Sequence, residues 1–143
     1  MRDLWNYLED VVRIFVEGTV AGEIAAAPLL EERDGYLGGI TLVIRYHDGS
    51  ILHTFLSADC AGEYVVWADY SFHYQDAEAR TRFRFDNAPH HPELPTFPDH
   101  MHVGPKSGER LYPFGPPTLR HVVALVEWHI ANPGRLWEPG TLA

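Results

Sequence analysis

EYVVWADYSFHYQDAEARTRFRFDN, residues 63–87, carries the strongest pattern in the chain. On each side of the polar break at 76–79, aromatic and polar residues alternate, which predicts two antiparallel strands joined by a turn. If Gln75 pairs with Arg80, one face of this hairpin is aromatic and packs under helices. That face holds Tyr70, Phe72, Tyr74, Thr81, Phe83 and Phe85. Its two tyrosines then belong to the core and not to a catalytic site.

The opposite face of the hairpin gathers basic side chains. It sets Ser71, His73 and Gln75 against Arg84, Arg82 and Arg80, with no acid among the six. Arginine suits phosphate because its guanidinium is a planar fork with a permanent charge. The protonated form of a histidine beside these cations is disfavoured, so His73 suits a general base. The alternative is an ordinary solvated face, neutralised by acids from neighbouring elements.

Patterns around the hairpin predict two helices and further strands. Residues 3–17 place apolar side chains three and four positions apart, as in an amphipathic helix, and residues 118–130 do the same. Segments with a period of two, broken by turn signals, predict strands between residues 20 and 86. The prediction is one α+β domain, residues 1–143: a four- to five-stranded antiparallel meander with an N-terminal and a C-terminal helix and a Pro/His-rich loop.

Residues 86–117 are rich in proline and glycine, which predicts an irregular surface loop. Asp86 and Asn87 predict an Asx-type turn directly after the arginine strand. Prolines then recur at every third position: Pro89, Pro92, Pro95 and Pro98. This is the period of a polyproline II helix, and the fixed φ of proline makes such a segment stiff. The loop is therefore expected to hold its histidines in place near the arginine face.

Four histidines of this loop allow three interpretations. They are His90, His91, His100 and His102. In the first interpretation they cleave a phosphodiester together with the hairpin, which requires a base, an acid and cations for the developing charge. The catalytic residues would be His73 with His91 or His100, and the substrate-binding residues would be Arg80, Arg82, Arg84, His90 and His102.

The second interpretation is a metal site, in which the loop histidines, with Asp86 or Asp99, bind zinc or another divalent ion. His100 and His102 form a His-x-His pair, but no HExxH motif or cysteine pair accompanies it. The third interpretation is structural, because imidazoles can satisfy loop carbonyls that lack a sheet partner. For any single histidine the structural interpretation is favoured, whereas for the group as a whole a functional one is favoured, with the first preferred; no metal or cofactor is expected.

Composition limits the classes of function. The formal charge is −9, with 20 acids against 11 basic residues, which opposes binding of nucleic acid by a global field and suits a basic partner. A single cysteine, Cys60, fits a reducing cytoplasm. We expect no membrane-spanning segment and no secretory signal at the N-terminus.

The segment from Tyr70 to Gly104 resembles the TumE family of prokaryotic toxins. The similar motifs are YSFHYQD and FRFDNAPHHPELPTFPDHMHVG, together with the turn at Asp48-Gly49-Ser50. The resemblance implies the toxin of a toxin–antitoxin pair, acting in the cytoplasm, with a helix-turn-helix antitoxin as partner and RNA as a target. The family loop often reads H-H-K-H-V-G, where this chain has DHMHVG at residues 99–104, so one local positive charge is missing.

Three hypotheses follow from these patterns. The first is a metal-independent endoribonuclease toxin, which uses histidine acid–base chemistry and an arginine phosphate clamp. The alternative is a non-catalytic module that binds a partner or RNA through the loop and the arginine face. The third is a metal-dependent hydrolase that uses the loop histidines. The pattern allows a homodimer but does not require one.

Overall fold

The computed structural model describes residues 4–17, 23–24, 31–33, 37–61 and 64–141. Two helices and eight strands lie in these ranges. The helices are α1 (Leu4–Glu17) and α2 (Leu119–Ala131). The strands are β1 (Glu23–Ile24), β2 (Glu31–Arg33), β3 (Leu37–Arg45), β4 (Ile51–Ala61), β5 (Tyr64–Gln75), β6 (Thr81–Asp86), β7 (His100–Val103) and β8 (Arg110–Pro113).

Six of these strands, β3 to β8, form one antiparallel meander in which each strand pairs with the next in sequence. The short strands β1 and β2 both pair with the outer side of β3. The predicted α+β class is confirmed, with more strands than the four or five expected. Two of the additional strands, β7 and β8, lie inside the segment that was predicted to be irregular. Each of these two strands has only four residues, and the neighbouring prolines make an alternation of side chains hard to detect in the sequence.

The core lies on one face of the meander, under the two helices. Phe15 of α1 packs against Phe72, with ring centroids 6.2 Å apart, and both side chains are fully buried. Val122, Leu125 and Val126 of α2 are fully buried in the same cluster. The aromatic face predicted for the β5–β6 hairpin therefore faces the helices. No helix among the described residues is long and apolar enough to cross a membrane.

The predicted register of the β5–β6 hairpin is wrong. Asp76 and Arg80 close a three-residue turn, in which the backbone N–H of Asp76 donates to the carbonyl of Arg80 and Ala79 has φ of 62°. This is the usual three-residue hairpin loop with a left-handed last residue. Gln75 pairs with Thr81, but Tyr74 pairs with Phe83, so a bulge inserts Arg82 as an extra residue.

The bulge reverses the side on which two residues of β6 lie. Thr81 moves to the outer face, where its Oγ1 lies 2.7 Å from Nε2 of His73. Arg82 moves to the helix side, where its Nη2 donates to the carbonyl of Arg135 at 3.1 Å. The predicted row of three arginines on one face therefore does not form.

His129 of α2 is buried in the core. It is 5% exposed, and its ring lies 5.5 Å from Phe83 and 5.9 Å from Tyr74. Its Nδ1–H donates to the carbonyl of Leu125. Burial, with a smaller contribution from the charge of Arg82, lowers the pKa of His129 to about 4, and the hydrogen bond to Leu125 opposes this shift.

The buried His129 makes the free energy of unfolding depend on pH. Its folded pKa of about 4 lies below the ordinary value of 6.5, so the unfolded chain binds more protons between these values. The contribution of His129 to the free energy of unfolding is therefore fully present above pH 6.5, decreases as the pH falls, and is lost below about pH 4. We expect urea unfolding to show that wild type loses about 2 kcal/mol more than His129→Leu between pH 7 and pH 5. The exposed His53→Leu serves as control and should behave as wild type; equal losses in all three proteins would contradict this assignment.

Candidate functional site

The pairing of β6 with β7 brings charged and imidazole side chains together. Arg84 lies opposite His102, and Asp86 lies opposite His100. Met101, Val103, Phe83 and Phe85 alternate with them and are buried on the helix side. Because side chains alternate across a strand, the two histidines, the arginine and the aspartate share the outer face of the sheet.

The loop at 87–99 brings a further histidine onto this face. It is not the predicted polyproline II helix, which has no internal hydrogen bonds. Instead the N–H of Leu94 donates to the carbonyl of His91, and the N–H of Phe97 donates to the carbonyl of Leu94. These are successive turns with Pro92 and Pro95 in the second position, where the fixed φ of proline is favourable. Consecutive turns of this kind explain the spacing of three.

Two contacts fix the ends of the loop to β5. Asn87 accepts a hydrogen bond from the N–H of Tyr70 and donates one to the carbonyl of Ala68. The hydroxyl of Tyr70 donates to Asp99 at 2.8 Å. Burial and this hydrogen bond raise the pKa of Tyr70 far above its ordinary value, so its hydroxyl stays protonated and acts as a donor.

His91, His100 and His102 form a compact cluster, which we call the three-histidine cluster. Their ring centroids lie 4.7–5.6 Å apart, and one nitrogen from each ring lies within 4.8 Å of the others. Nδ1 of each ring faces an oxygen: Glu93 at 3.3 Å, the carbonyl of Pro98 at 2.8 Å and Glu109 at 2.7 Å. His100 and His102 are buried, and His91 is half-buried.

Asp86 links this cluster to the sheet. Its carboxylate lies 2.9 Å from Nε2 of His100 and 3.8 Å from Nε2 of His102. It accepts hydrogen bonds from Nε of Arg84 at 2.8 Å and from the N–H of Ala88 at 3.1 Å. The carboxylate is 10% exposed, so these contacts are made largely out of water. Asp86 therefore starts the turn, as predicted, and also orients three side chains.

The cluster lines one side of an open cleft of about 430 Å³. This volume lies within the range of small-ligand sites. Burial, and next to it the charge of Arg84, lower the pKa of His102, while Glu109 and Asp86 oppose the shift. His102 is therefore a neutral imidazole at pH 7, with a lone pair available for a proton or a metal ion.

Comparison with known protein families matches residues 22–130 to the family described as Toxin TumE. The chain belongs to the TumE toxin family. It is accordingly the toxin component of a toxin–antitoxin system and has an antitoxin as partner. No curated protein and no solved structure matches it.

In this TumE toxin the residues proposed from sequence fall into two groups. The cleft is lined by seven of them: Arg84, Asp86, Asn87, His90, His91, His100 and His102. His73 lies outside the cleft lining, hydrogen-bonded to Thr81 and with its ring 6.0 Å from that of His53. Burial lowers the pKa of His73, with smaller contributions from Arg84 and His53.

The arginines do not form a joint phosphate clamp. The guanidinium of Arg80 is exposed and pairs with Asp76 at 2.9 Å, and Arg82 lies 3.7 Å from the same carboxylate. Arg84 pairs with Asp86 at 2.8 Å. Each of the three arginines therefore has a carboxylate partner. This agrees with the alternative of a solvated face whose charges are neutralised by neighbouring acids.

Glu109 is a site residue that sequence reasoning did not find. It follows the short 3₁₀ turn at Lys106–Gly108 and reaches back to His102. Its position depends on the β7–β8 pairing, for which the chain carries no local signal.

Because Asp86 is buried and holds several partners, Asp86→Asn should lower stability. The amide keeps the shape but loses the charge that Arg84 and the imidazoles face. We expect urea unfolding at pH 7 to show a loss of about 1–3 kcal/mol in the free energy of unfolding. Asp69→Asn is the matched control, since Asp69 lines the same cleft but is exposed, and it should stay within about 0.5 kcal/mol of wild type. A loss no greater than that of the control would show that the carboxylate contacts add nothing to the fold.

Proposed function

We propose that this toxin is an endoribonuclease and that its centre is the cleft of the three-histidine cluster rather than His73, which lies on the same outer face of the sheet but outside the cleft lining. The observation that carries the proposal is the convergence of three imidazoles and Arg84 on one open cleft. Membership of a toxin family supports a damaging activity, and the imidazoles supply the chemistry.

The cleft offers the groups that RNA cleavage requires. The reaction removes a proton from the 2′-hydroxyl, protonates the leaving 5′-oxygen and needs positive charge near the phosphoryl oxygens. His90 is exposed and His91 is half-buried at the mouth, so both can reach a substrate. The side chain of Arg84 is 33% exposed and lies at the same cleft. His100 and His102 lie behind these groups and set the charge around them.

A second candidate is a module that binds its antitoxin without turnover. Large apolar side chains are exposed on β4, β5 and the loop: Phe55, Tyr64, Val66 and Phe97. Exposed apolar groups of this size favour contact with another protein.

We further propose that the antitoxin is a helix-turn-helix protein and that the pair acts in the cytoplasm. Co-expression and co-purification with the neighbouring gene product tests this partner.

Substitution at the cluster should abolish RNA cleavage. We expect His91→Ala to reduce the rate of cleavage of cellular RNA about 100-fold or more, because acid–base and charge effects of this kind contribute about 10²–10⁴-fold. His73→Ala should remain within a few-fold of wild type, since His73 lies outside the cleft lining. The measurement is gel analysis of RNA incubated with each purified protein, together with growth of cells expressing it.

His53→Ala is the control for this series, because His53 is an exposed histidine on the same sheet, outside the cleft lining. Intact RNA with wild-type protein would favour the binding module. Loss of cleavage in His73→Ala alone would return the centre to His73.

A further inference from the structure

We propose that His91, His100 and His102 bind one divalent transition metal ion of the zinc class, with Asp86 beside it. The inference deepens the proposed function, since it concerns the same cleft, but metal binding can be measured without any RNA. Imidazole nitrogen is a preferred ligand of such ions, and three histidines with an open position are the arrangement of a catalytic zinc site.

The first argument is the orientation of the rings. In His100 the proton of Nδ1 is donated to the carbonyl of Pro98, which leaves Nε2 as the metal-binding atom. Nδ1 of His102 faces Glu109, and Nδ1 of His91 faces Glu93. A second ring nitrogen held by a carbonyl or a carboxylate is the outer shell found around metal-bound histidines. Nδ1 of His100 and of His91 make such hydrogen bonds, and Nδ1 of His102 has the Glu109 carboxylate 2.7 Å away.

The second argument is the lack of protein partners for buried nitrogen atoms. His102 is 5% exposed, and neither of its ring nitrogens makes a hydrogen bond of regular geometry within the described residues. The 2.7 Å approach to Glu109 is thus an electrostatic contact rather than an aligned hydrogen bond. Buried polar atoms are nearly always satisfied by protein, water or an ion. An ion at Nε2 of His102 would satisfy it.

The third argument concerns His100, which faces two oxygens. Pro98 lies 2.8 Å from Nδ1, and Asp86 lies 2.9 Å from Nε2. A neutral imidazole has a single N–H and can donate to one of them only, which leaves a lone pair against an oxygen. A cation bound to Nε2, with the Asp86 carboxylate beside it, removes that repulsion.

Charge and spacing agree with an ion of this class. The cleft lining carries one guanidinium, that of Arg84, against the carboxylates of Asp69 and Asp86, and Glu109 adds a further negative charge behind His102. A divalent cation offsets this negative charge and places positive charge at the point where a phosphate would bind. Tetrahedral zinc–nitrogen bonds of about 2.0–2.1 Å place ligand atoms about 3.3 Å apart. The nitrogens lie within 4.8 Å of one another, so binding of an ion would draw them closer together.

The test uses the untagged full-length protein, stripped with a chelator and titrated with Zn²⁺ against a chromophoric competitor. Wild type should bind one equivalent. His91→Ala should weaken binding by at least about 100-fold, and Glu109→Gln, which removes only an outer-shell charge, by about 10-fold or more. His53→Ala should bind as wild type does. Co²⁺ titration provides a second readout, because its visible absorption is intense for a four-coordinate nitrogen site and should disappear in His91→Ala.

His91 is chosen because it lies on the loop and is only half-buried, so its substitution leaves the core untouched. Thermal unfolding without metal verifies the fold of each variant, and added Zn²⁺ should raise the melting temperature of wild type but not of His91→Ala. Binding of less than one equivalent by wild type, or equal affinity in His91→Ala, would overturn the proposal.

The RNA assay separates this proposal from the proposed function. Metal binding without RNA cleavage refutes the endoribonuclease and leaves the metal site in place. Cleavage by a protein that binds no Zn²⁺ leaves the endoribonuclease and overturns the metal site. Cleavage that stops with EDTA and returns with Zn²⁺ supports both.

Discussion

The antiparallel pairing of β6 with β7 is the constraint on which the site depends. It sets Arg84 against His102 and Asp86 against His100, and by alternation it buries the apolar residues between them. These buried residues are Phe83, Phe85, Met101 and Val103. Each contributes about 1.5–3 kcal/mol on burial, and a slip by one residue would expose them and bury the charged face instead. The core therefore fixes the register, and the register holds the imidazoles together.

The third imidazole is brought in by separate means. His91 belongs to a loop that turns at Pro92 and Pro95 and is fastened to β5 through Asn87 at one end and Asp99 at the other. Such turns restrict the backbone before folding, so less conformational entropy is lost when the loop is ordered. The cluster thus combines two histidines on a strand, His100 and His102, with one histidine on a constrained loop, His91. It remains open to solvent at the cleft.

Which sequence predictions succeeded depends on whether the register error along a strand is an even or an odd number of residues. A register error of two residues preserves which face a side chain occupies, so the aromatic face of β5 and β6 was predicted correctly although its pairing was not. The bulge at Arg82 shifts the pairing by an odd number of residues, and the turn that precedes it places Ala79 at positive φ. Glycine or asparagine would have signalled that turn, whereas alanine does not. The spacing of the prolines was equally ambiguous, since successive turns and a polyproline II helix share a period of three. Glu109 reaches His102 only through the β7–β8 pairing, and no local sequence pattern predicts that contact.

Electrostatics connects these features to function. Arg80, Arg82 and Arg84 each have a carboxylate partner, and the chain carries a formal charge of −9. A negative field slows the approach of RNA and gives no counterion release on contact. Positive charge for a phosphate must therefore arise at short range inside the cleft. Imidazoles supply it only when they are protonated, and protonating three rings whose centroids lie 4.7–5.6 Å apart would set like charges against each other. In the proposed metal site, one divalent ion shared by the three nitrogens would concentrate the same charge at a point that Asp86 neutralises in part, with its open side available to a substrate.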